Sequence, residues 1–305
     1  MPTLLAVVLA ALTASPQTPA PTSPATRAAA ARTEIERLIA LSGAEVSVVY
    51  RPLNASAGGE ILINPDTVYH AASTMKVPVM IELFRQVDAK TLSLDDTVVV
   101  SNVFHSIVDG SEFTLATSDD ADGAAFRALG KPMSYRDLCE AMITISSNLA
   151  ANVLIEHLGV EKIRATVARL KAPGMKVLRG VEDQKAFDKG MNNETTSRAL
   201  MTLMTAIGNG TAASPASCDE MVAILKRQTF NAGIPAGVPP GIAVAHKTGT
   251  ITKIHHDAAI VYAPQPYVLV IMTRGIADES KSDLLIAEIS KIIMGVNGMG
   301  FARRW

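Results

Sequence analysis

Apolar and polar positions near the start of the chain predict a helix, a hairpin and a second helix. Apolar residues recur at helical spacing over 26–41, and a glycine ends this pattern. Residues 45–50 and 61–63 are short apolar runs separated by a turn-rich stretch, as is typical of paired strands. The run 77–84 is almost continuously apolar and has the length of a helix packed inside a domain. We therefore expect this second helix to lie in the core.

The middle of the chain is predominantly helical. Helices are predicted over 135–145, 148–157, 160–170, 196–207 and 215–228. Residues 94–131 predict a solvated loop with a short helix, and residues 172–193 are mostly irregular. Long irregular loops tend to be functional or disordered, so the loop 172–193 is a place to expect functional residues.

Strand patterns return in the last third of the chain. Strands are predicted over 242–245, 258–262 and 267–273, followed by a helix over 281–294. Strands at both ends of the chain, with helices between them, indicate a single sheet with a helical insert. The predicted fold class is α/β: an antiparallel sheet flanked by the N- and C-terminal helices, with an all-α lobe inserted between its two sequence segments. We assign residues 26–90 and 211–305 to the α/β lobe and residues 91–210 to the helical lobe.

The first 25 residues resemble a secretory signal followed by a spacer. An apolar run at 4–12 precedes small residues and then a segment rich in Pro, Thr and Ala. A positively charged start is missing, which leaves a cytosolic tail as the alternative. We predict a signal peptide and spacer over 1–25, and a periplasmic or secreted protein.

Composition narrows the kind of partner. The chain is 48% apolar and 19% charged, as in globular proteins, and its formal net charge is -1. This charge provides no basic field for nucleic acid, and no stretch after the N-terminus is long enough to span a membrane. We expect a small-molecule partner and a monomer. The two cysteines, Cys139 and Cys218, are too few for a disulfide framework or a structural zinc site, so we expect two buried thiols.

The candidate chemistry begins at Ser73-Thr74-Met75-Lys76, which opens the apolar run. Residues three apart share a helix face, so the Lys76 amine is within reach of the Ser73 hydroxyl, a nucleophile beside a possible base. An N-cap serine and a solvated lysine are the alternative. Two later motifs are Ser146-Ser147-Asn148, in a break between helices, and His246-Lys247-Thr248-Gly249-Thr250, at the end of an apolar strand. Taken alone, they predict an ordinary helix cap and an exposed strand edge.

Together, Ser-x-x-Lys, Ser-x-Asn and Lys-Thr-Gly resemble the motif set of the class A serine β-lactamases and the related penicillin-binding peptidases. The resemblance reaches from about residue 34 to the last helix, and His256-Asp257 before a strand resembles the family's Asn-Asp. It implies that Ser73 attacks an amide carbonyl and forms an acyl-enzyme ester. Lys76 then takes the serine proton if its pKa is below the usual ~10.4, and burial beside Lys247 is the expected cause.

The resemblance also implies roles for the other motif residues. Ser146 passes a proton to the departing nitrogen, and the backbone N–H groups of Ser73 and Thr250 form the oxyanion hole. Asn148 holds the side-chain amide of the substrate. The third motif, Lys247, Thr248, Gly249 and Thr250, receives the substrate carboxylate through its lysine and threonines. No metal or other cofactor is implied.

Glu182 is the candidate for activating the deacylating water. The segment Arg179-Gly180-Val181-Glu182 resembles the family's loop entry, although a solvated glutamate or a partner for its arginine is the alternative. Ala186 stands where the family has an asparagine that helps to seat the water, and Asn192 or Asn193 is a candidate substitute. The second motif carries Ser147 where the class A pattern has aspartate.

Two questions stay open at the level of sequence. An additional contact for the substrate carboxylate falls to Lys253, His255, His256 or Arg274, and the sequence does not choose among them. The function implied is a serine β-lactamase. The alternatives are a D-alanyl-D-alanine carboxypeptidase or transpeptidase, and a β-lactam receptor that deacylates slowly.

Overall fold

The computed structural model describes residues 23–54, 59–119 and 123–297, in which groups of strands at both ends of the chain enclose a mainly helical middle. Helices α1 to α10 span Pro24–Ser42, Lys76–Asp88, Ala124–Arg127, Tyr135–Thr144, Asn148–Leu158, Val160–Arg169, Gln184–Asp188, Ser197–Gly208, Pro215–Leu225 and Glu279–Val296. Strands β1 to β11 span Glu45–Pro52, Ile61–Ile63, Tyr69–His70, Thr97–Val99, Phe104–His105, Glu112–Phe113, Pro132–Ser134, Glu194–Thr195, Val244–Ile251, Ile254–Val261 and Tyr267–Arg274. Residues 1–22 of the predicted signal peptide and spacer lie outside the described residues, and α1 begins at Pro24, within the predicted spacer.

A five-stranded antiparallel sheet joins the two ends of the described chain. Its strand order is β2-β1-β11-β10-β9, so β1 from the start of the chain lies between its hairpin partner β2 and the late strand β11. Val49 of β1 pairs with Val270 of β11, for example. The predicted fold class is confirmed.

The two faces of the sheet bury alternate residues of the same strands. Val48 of β1 and Ile271 of β11 face α1 and α10, where Ile35 and Ile286 are fully buried. Val49 and its neighbours on the other face belong to the large core formed with the remaining helices. This alternation follows from the two-residue period of a strand, and each buried aliphatic side chain contributes about 1.5–3 kcal/mol.

Helix α2 runs through the middle of the large core. Its residues from Lys76 to Phe84 are all buried, and it packs against α4, α5, α6 and α9. A helix surrounded on all sides has no polar face, which explains why its sequence is almost continuously apolar. The one acid in this run, Glu82, accepts hydrogen bonds from Thr166 Oγ1 at 2.6 Å and Gln86 Nε2 at 2.7 Å.

Three local predictions differ from the structure. The stretch 94–131 was predicted as a solvated loop with a short helix, but it also contains strands β4, β5 and β6, and Phe104 and Leu115 are buried. The strand predicted over 242–245 continues to Ile251, because β10 pairs with β9 along its whole length. The third motif therefore lies inside an edge strand and not beyond its end. Ser73 was expected at the start of a helix, but it lies in a 3-10 turn, Ala72–Met75, directly before α2.

Cys139 and Cys218 are both buried and are not joined in a disulfide. Within 23–54, 59–119 and 123–297, no helix combines the length and the apolar character needed to cross a bilayer. The assignment of 26–90 and 211–305 to one lobe and 91–210 to another stays a prediction.

Candidate active site

The nucleophile candidate and its neighbouring amine lie where the 3-10 turn meets α2. Lys76 Nζ donates to Ser73 Oγ at 3.1 Å, and the Lys76 side chain is fully buried. Ala72, directly before Ser73, has a φ of +46°, a strained conformation for a residue with a side chain. The burial of Lys76 excludes the alternative of a solvated lysine.

The second motif brings three polar groups to the Lys76 amine. Lys76 Nζ donates to Ser146 O at 2.7 Å and to Asn148 Oδ1 at 2.7 Å, and it lies 3.3 Å from Ser146 Oγ. The ordinary helix-cap role belongs to Ser147, whose side chain accepts from the N–H of Ala150 at the start of α5. This leaves the side chains of Ser146 and Asn148 at the site.

The third motif also contacts Ser146, through Lys247. Lys247 Nζ donates to Ser146 Oγ at 2.9 Å and to Thr248 O at 2.9 Å. Burial, and then the positive charge of Lys76, hold the pKa of Lys247 well below its usual value, while Asp257 acts in the opposite direction. The Ser146 hydroxyl thus lies between two buried amines, and segments about 70 and 100 residues apart converge.

Gly249 allows β9 to pack tightly against the turn that carries Ser73. A Cβ atom at position 249 would lie 3.1 Å from Ser73 N and 3.0 Å from Thr74 N. Any side chain there would push the strand away from the turn. The close packing keeps Thr250, the next residue, beside Ser73 along the same cavity, as an oxyanion hole built from their two N–H groups requires.

Glu182 also lies at this site. Its Oε1 accepts from Asn148 Nδ2 at 3.0 Å. Seven non-glycine residues of the described chain have positive φ, and three of them, Ala72, Ser146 and Glu182, belong to the site. Such conformations cost about 1–3 kcal/mol each and persist where the surrounding contacts hold them, often at functional sites.

The loop before Glu182 is tied to helix α5 by Asn152. The Asn152 Oδ1 accepts from Val181 N at 2.7 Å, and its Nδ2 donates to Val181 O at 2.9 Å. Gly180 packs directly over this amide, and a Cβ atom there would collide with Asn152 Oδ1. The sequence signal was a second asparagine four residues after Asn148, which is one helical turn further along the same face.

Arg179 and Asn193 hold the two ends of the loop together. Arg179 donates to the carbonyl groups of Met191 and Gly180, so its described hydrogen bonds are structural. Asn193 Oδ1 accepts from two backbone N–H groups, and its Nδ2 donates to Arg179 O at 3.0 Å. The polar atoms of Asn193 are therefore already bonded to the loop backbone, and Ala186 is buried. The replacement of the missing asparagine by Asn192 stays a prediction.

A cavity of about 290 Å³ joins Ser73, Asn148 and Glu182 to two groups that sequence reasoning missed, His70 and Phe187. His70 Nδ1 accepts from Ala72 N at 3.0 Å, so the neutral ring carries its proton on Nε2. Burial lowers the pKa of His70, and the nearby Arg179 contributes. Its only sequence signal was a position three residues before Ser73.

A second cavity, of about 570 Å³, lies on the other side of Ser73 and is lined by Ser146, Thr248 and His255. Among the four candidates for an additional carboxylate contact, His256 is fully buried and bonded to His70 O, and burial lowers its pKa to about 4. Arg274 is paired with Glu45. Of the four, His255 is the one that lines this cavity.

Asn152→Ala should loosen the loop that carries Glu182. The substitution leaves two half-buried backbone groups of Val181 without partners, at a cost of about 1–3 kcal/mol, or a fall in melting temperature of roughly 2–10 °C. Amide hydrogen exchange over 178–184 should accelerate. Asn209→Ala, at the exposed end of α8, is the control and should change neither quantity. Unchanged exchange in Asn152→Ala would show that other contacts hold the loop.

The chain is similar to known proteins in both sequence and fold. A sequence model described as the β-lactamase enzyme family matches residues 30–296. A β-lactamase of Bacillus licheniformis is 29% identical over 169 residues, 53% of this chain and 55% of that protein, so the chain spans about half the length of the curated relatives it matches. The crystal structure of a β-lactamase from Sphaerobacter thermophilus DSM 20745 superposes with a TM-score of 0.74 and 26% identity, covering 90% of this chain and 97% of the other.

A structure of a protein called PBP-A superposes equally well, with a TM-score of 0.74, covering 88% of this chain and 96% of the other. At 24% identity, this likeness concerns the fold. The family match includes the three segments that meet around Ser146, at Ser73, Asn148 and Lys247. The chain belongs to the β-lactamase enzyme family.

Proposed function

We propose that this protein is a serine β-lactamase of the class A type, which hydrolyses the β-lactam amide through an acyl-enzyme. The observation that carries the proposal is the continuous chain of contacts Ser73–Lys76–Ser146–Lys247, with separations of 3.1, 3.3 and 2.9 Å. A hydroxyl, a buried amine and a second hydroxyl in this order support acyl transfer to a serine.

In acylation, Ser73 Oγ forms a bond to the carbonyl carbon while its proton passes to Lys76 Nζ, a role that this amine takes in its uncharged form. The developing oxyanion is held by the N–H groups of Ser73 and Thr250, where one lost donor typically costs about 3 kcal/mol. The ring C–N bond then breaks, and the nitrogen takes the Ser146 proton. Ser146 recovers a proton from the Lys76 ammonium, so the amine returns to its starting form.

In deacylation, Glu182 removes a proton from a water molecule as the water attacks the ester carbonyl. The ester C–O bond breaks, Ser73 Oγ receives the proton that Glu182 took from the water, and the ring-opened acid leaves with Glu182 again a carboxylate. The contact between Glu182 and Asn148 supports this role, because it holds the carboxylate beside the residues around Ser73. Export to the periplasm or medium and action as a monomer stay predictions.

Substrate positioning is assigned to the rims of the two cavities. Asn148 lies at their junction and lines both, so its amide is placed to bind the amide side chain of a bound substrate. Lys247, Thr248 and Thr250 bind the carboxylate from β9. Burial and the charge of Lys76 disfavour the charged form of Lys247, and a substrate carboxylate beside it would favour that form.

One observation favours slow deacylation as a second candidate. Ala186 offers no polar group to seat the water, and the polar atoms of Asn193 already bind the loop backbone. A protein that is acylated well and hydrolysed slowly would act as a penicillin-binding peptidase or a β-lactam receptor.

One experiment separates these functions. The purified protein is incubated with a chromogenic cephalosporin and with a penicillin, and product formation and intact protein mass are followed together. We expect sustained turnover with a transient mass increase. A stable adduct without turnover would replace the proposal with the receptor or the peptidase, and D-alanine release from a cell-wall peptide would select the peptidase. No adduct and no turnover would reject all three.

A further inference from the structure

One imidazole and two carboxylates form a cluster at the far wall of the larger cavity. His255 lies at the start of β10, and Glu279 and Asp283 lie one turn apart at the start of α10. His255 Nε2 is 3.2 Å from Asp283 Oδ1, and His255 Nδ1 is 3.9 Å from Glu279 Oε1. One ligand atom from each residue lies within 4.8 Å of the others. The acyl-transfer steps use none of these three residues.

A second, independent observation concerns the imidazole itself. His255 is only 5% exposed, yet its buried Nδ1 has no hydrogen-bond partner within the described chain, although it points toward Glu279. A buried polar atom without a partner is destabilising, so such atoms are rare and usually have a specific cause. A ligand bonded to Nδ1 would supply the missing partner.

The separations fit the shell of a small divalent cation. Two ligands at about 2.0–2.2 Å from one ion lie roughly 3–4 Å apart, depending on the angle between them. The 3.9 Å between His255 Nδ1 and Glu279 Oε1 falls in this interval, so an ion on Nδ1 can share Glu279. Asp283 Oδ1 lies 3.2 Å from the other ring nitrogen, Nε2, and would turn toward the same ion, within a cluster whose ligand atoms lie at most 4.8 Å apart.

We propose that His255, Glu279 and Asp283 bind a divalent transition-metal ion of the Zn²⁺ type, with an open coordination position facing the cavity. A nitrogen ligand with two carboxylates suits Zn²⁺ or Co²⁺, whereas Mg²⁺ and Ca²⁺ prefer oxygen ligands alone. The partial positive charge at the N-terminus of α10 opposes a cation there. Two carboxylates and an imidazole outweigh this repulsion.

The proposed ion site lies in the cavity that holds two threonines of the third motif. His255, Glu279 and Asp283 line the same cavity as Thr248 and Thr250, which the proposed function assigns to the substrate carboxylate. A bound cation would add positive charge at that end of the cavity, where His255 was a candidate for an additional contact to the substrate carboxylate. This consequence rests on the proposed function, whereas ion binding itself does not.

The test measures binding directly. The full chain, expressed without a polyhistidine tag and freed of metal with a chelator, is titrated with Co²⁺, and its visible d–d absorption is recorded. We expect one saturable equivalent that Zn²⁺ displaces, and a rise in melting temperature with either ion. Glu279→Gln and Asp283→Asn should each weaken binding by at least about tenfold, and His255→Gln should abolish it.

Matched controls separate this result from folding and from catalysis. Glu279→Gln alters an exposed side chain, so the metal-free variant should keep the melting temperature of the parent. His105→Gln, at an exposed histidine, should bind Co²⁺ as the parent does. Ser73→Ala should also bind normally, so a failed hydrolase proposal leaves this one standing. Two outcomes would overturn the metal-site proposal. One is no saturation up to millimolar Co²⁺, which would leave only an ion-paired cluster. The other is that Glu279→Gln and His255→Gln both bind Co²⁺ as tightly as the parent.

Discussion

Replacing Ser73 with alanine should remove both the covalent adduct and the turnover. The substitution deletes the oxygen that receives the acyl group and leaves Lys76 and Lys247 in place. Loss of a serine nucleophile typically lowers kcat by about 10⁶-fold, because only transition-state binding by the remaining groups survives. Intact-mass measurements with a penicillin should show the unmodified protein at all times, and a chromogenic cephalosporin should report background hydrolysis.

Ser118→Ala is the matched control for this experiment, since Ser118 lines the same cavity as Ser73 but belongs to none of the motifs. It should form the adduct and turn over at nearly the parental rate. Circular dichroism and melting temperature should be unchanged in both variants. An adduct that persists in Ser73→Ala would assign the nucleophile to another residue.

Replacing Glu182 with glutamine should trap the acyl-enzyme. Glutamine retains an oxygen that accepts from Asn148 Nδ2, so the local geometry is preserved while the basic carboxylate is lost. General-base catalysis typically contributes about 10²–10⁴-fold, and we expect deacylation to slow by that factor. Acylation should change far less, so the adduct should accumulate within the first turnover in rapid-quench mass measurements.

Asp188→Asn, on the exposed side of the short helix α7, provides a charge-matched control in the same loop. Its acylation and deacylation rates should equal those of the parent. If Glu182→Gln leaves turnover unchanged, then Glu182 is a structural residue. If it slows acylation as much as deacylation, its proton transfer belongs to the first step.

The elements that the sequence predicted well have strong local periodicity. Helices α1, α4, α8 and α10 and strands β1 and β11 lie close to their predicted ranges, because each buries one face or stripe that repeats along the chain. The three motifs were also recognisable from local sequence, because each is only a few residues long. Their convergence was an inference from resemblance, and the contacts around Ser146 now show it.

Other features depend on contacts that no short window of sequence contains. The positive φ of Ser146 and Glu182 is imposed by packing, since neither residue type favours that conformation. Strand β9 extends through the third motif because β10 pairs with it, although its own sequence turns polar at His246. The cluster around His255 joins a strand start to a helix start, and its members are far apart in the chain.

The pairing of β1 with β11 has a consequence for biosynthesis. About 220 residues separate Val49 from Val270, so at the usual 5–20 residues per second the ribosome needs roughly 10–45 s to supply the missing neighbour. Until then β1 has only the three-residue β2 beside it, and its apolar side chains lack their final cover. Chains released before β11 is made are therefore expected to aggregate or to be degraded, so that partial products do not persist as half-active species.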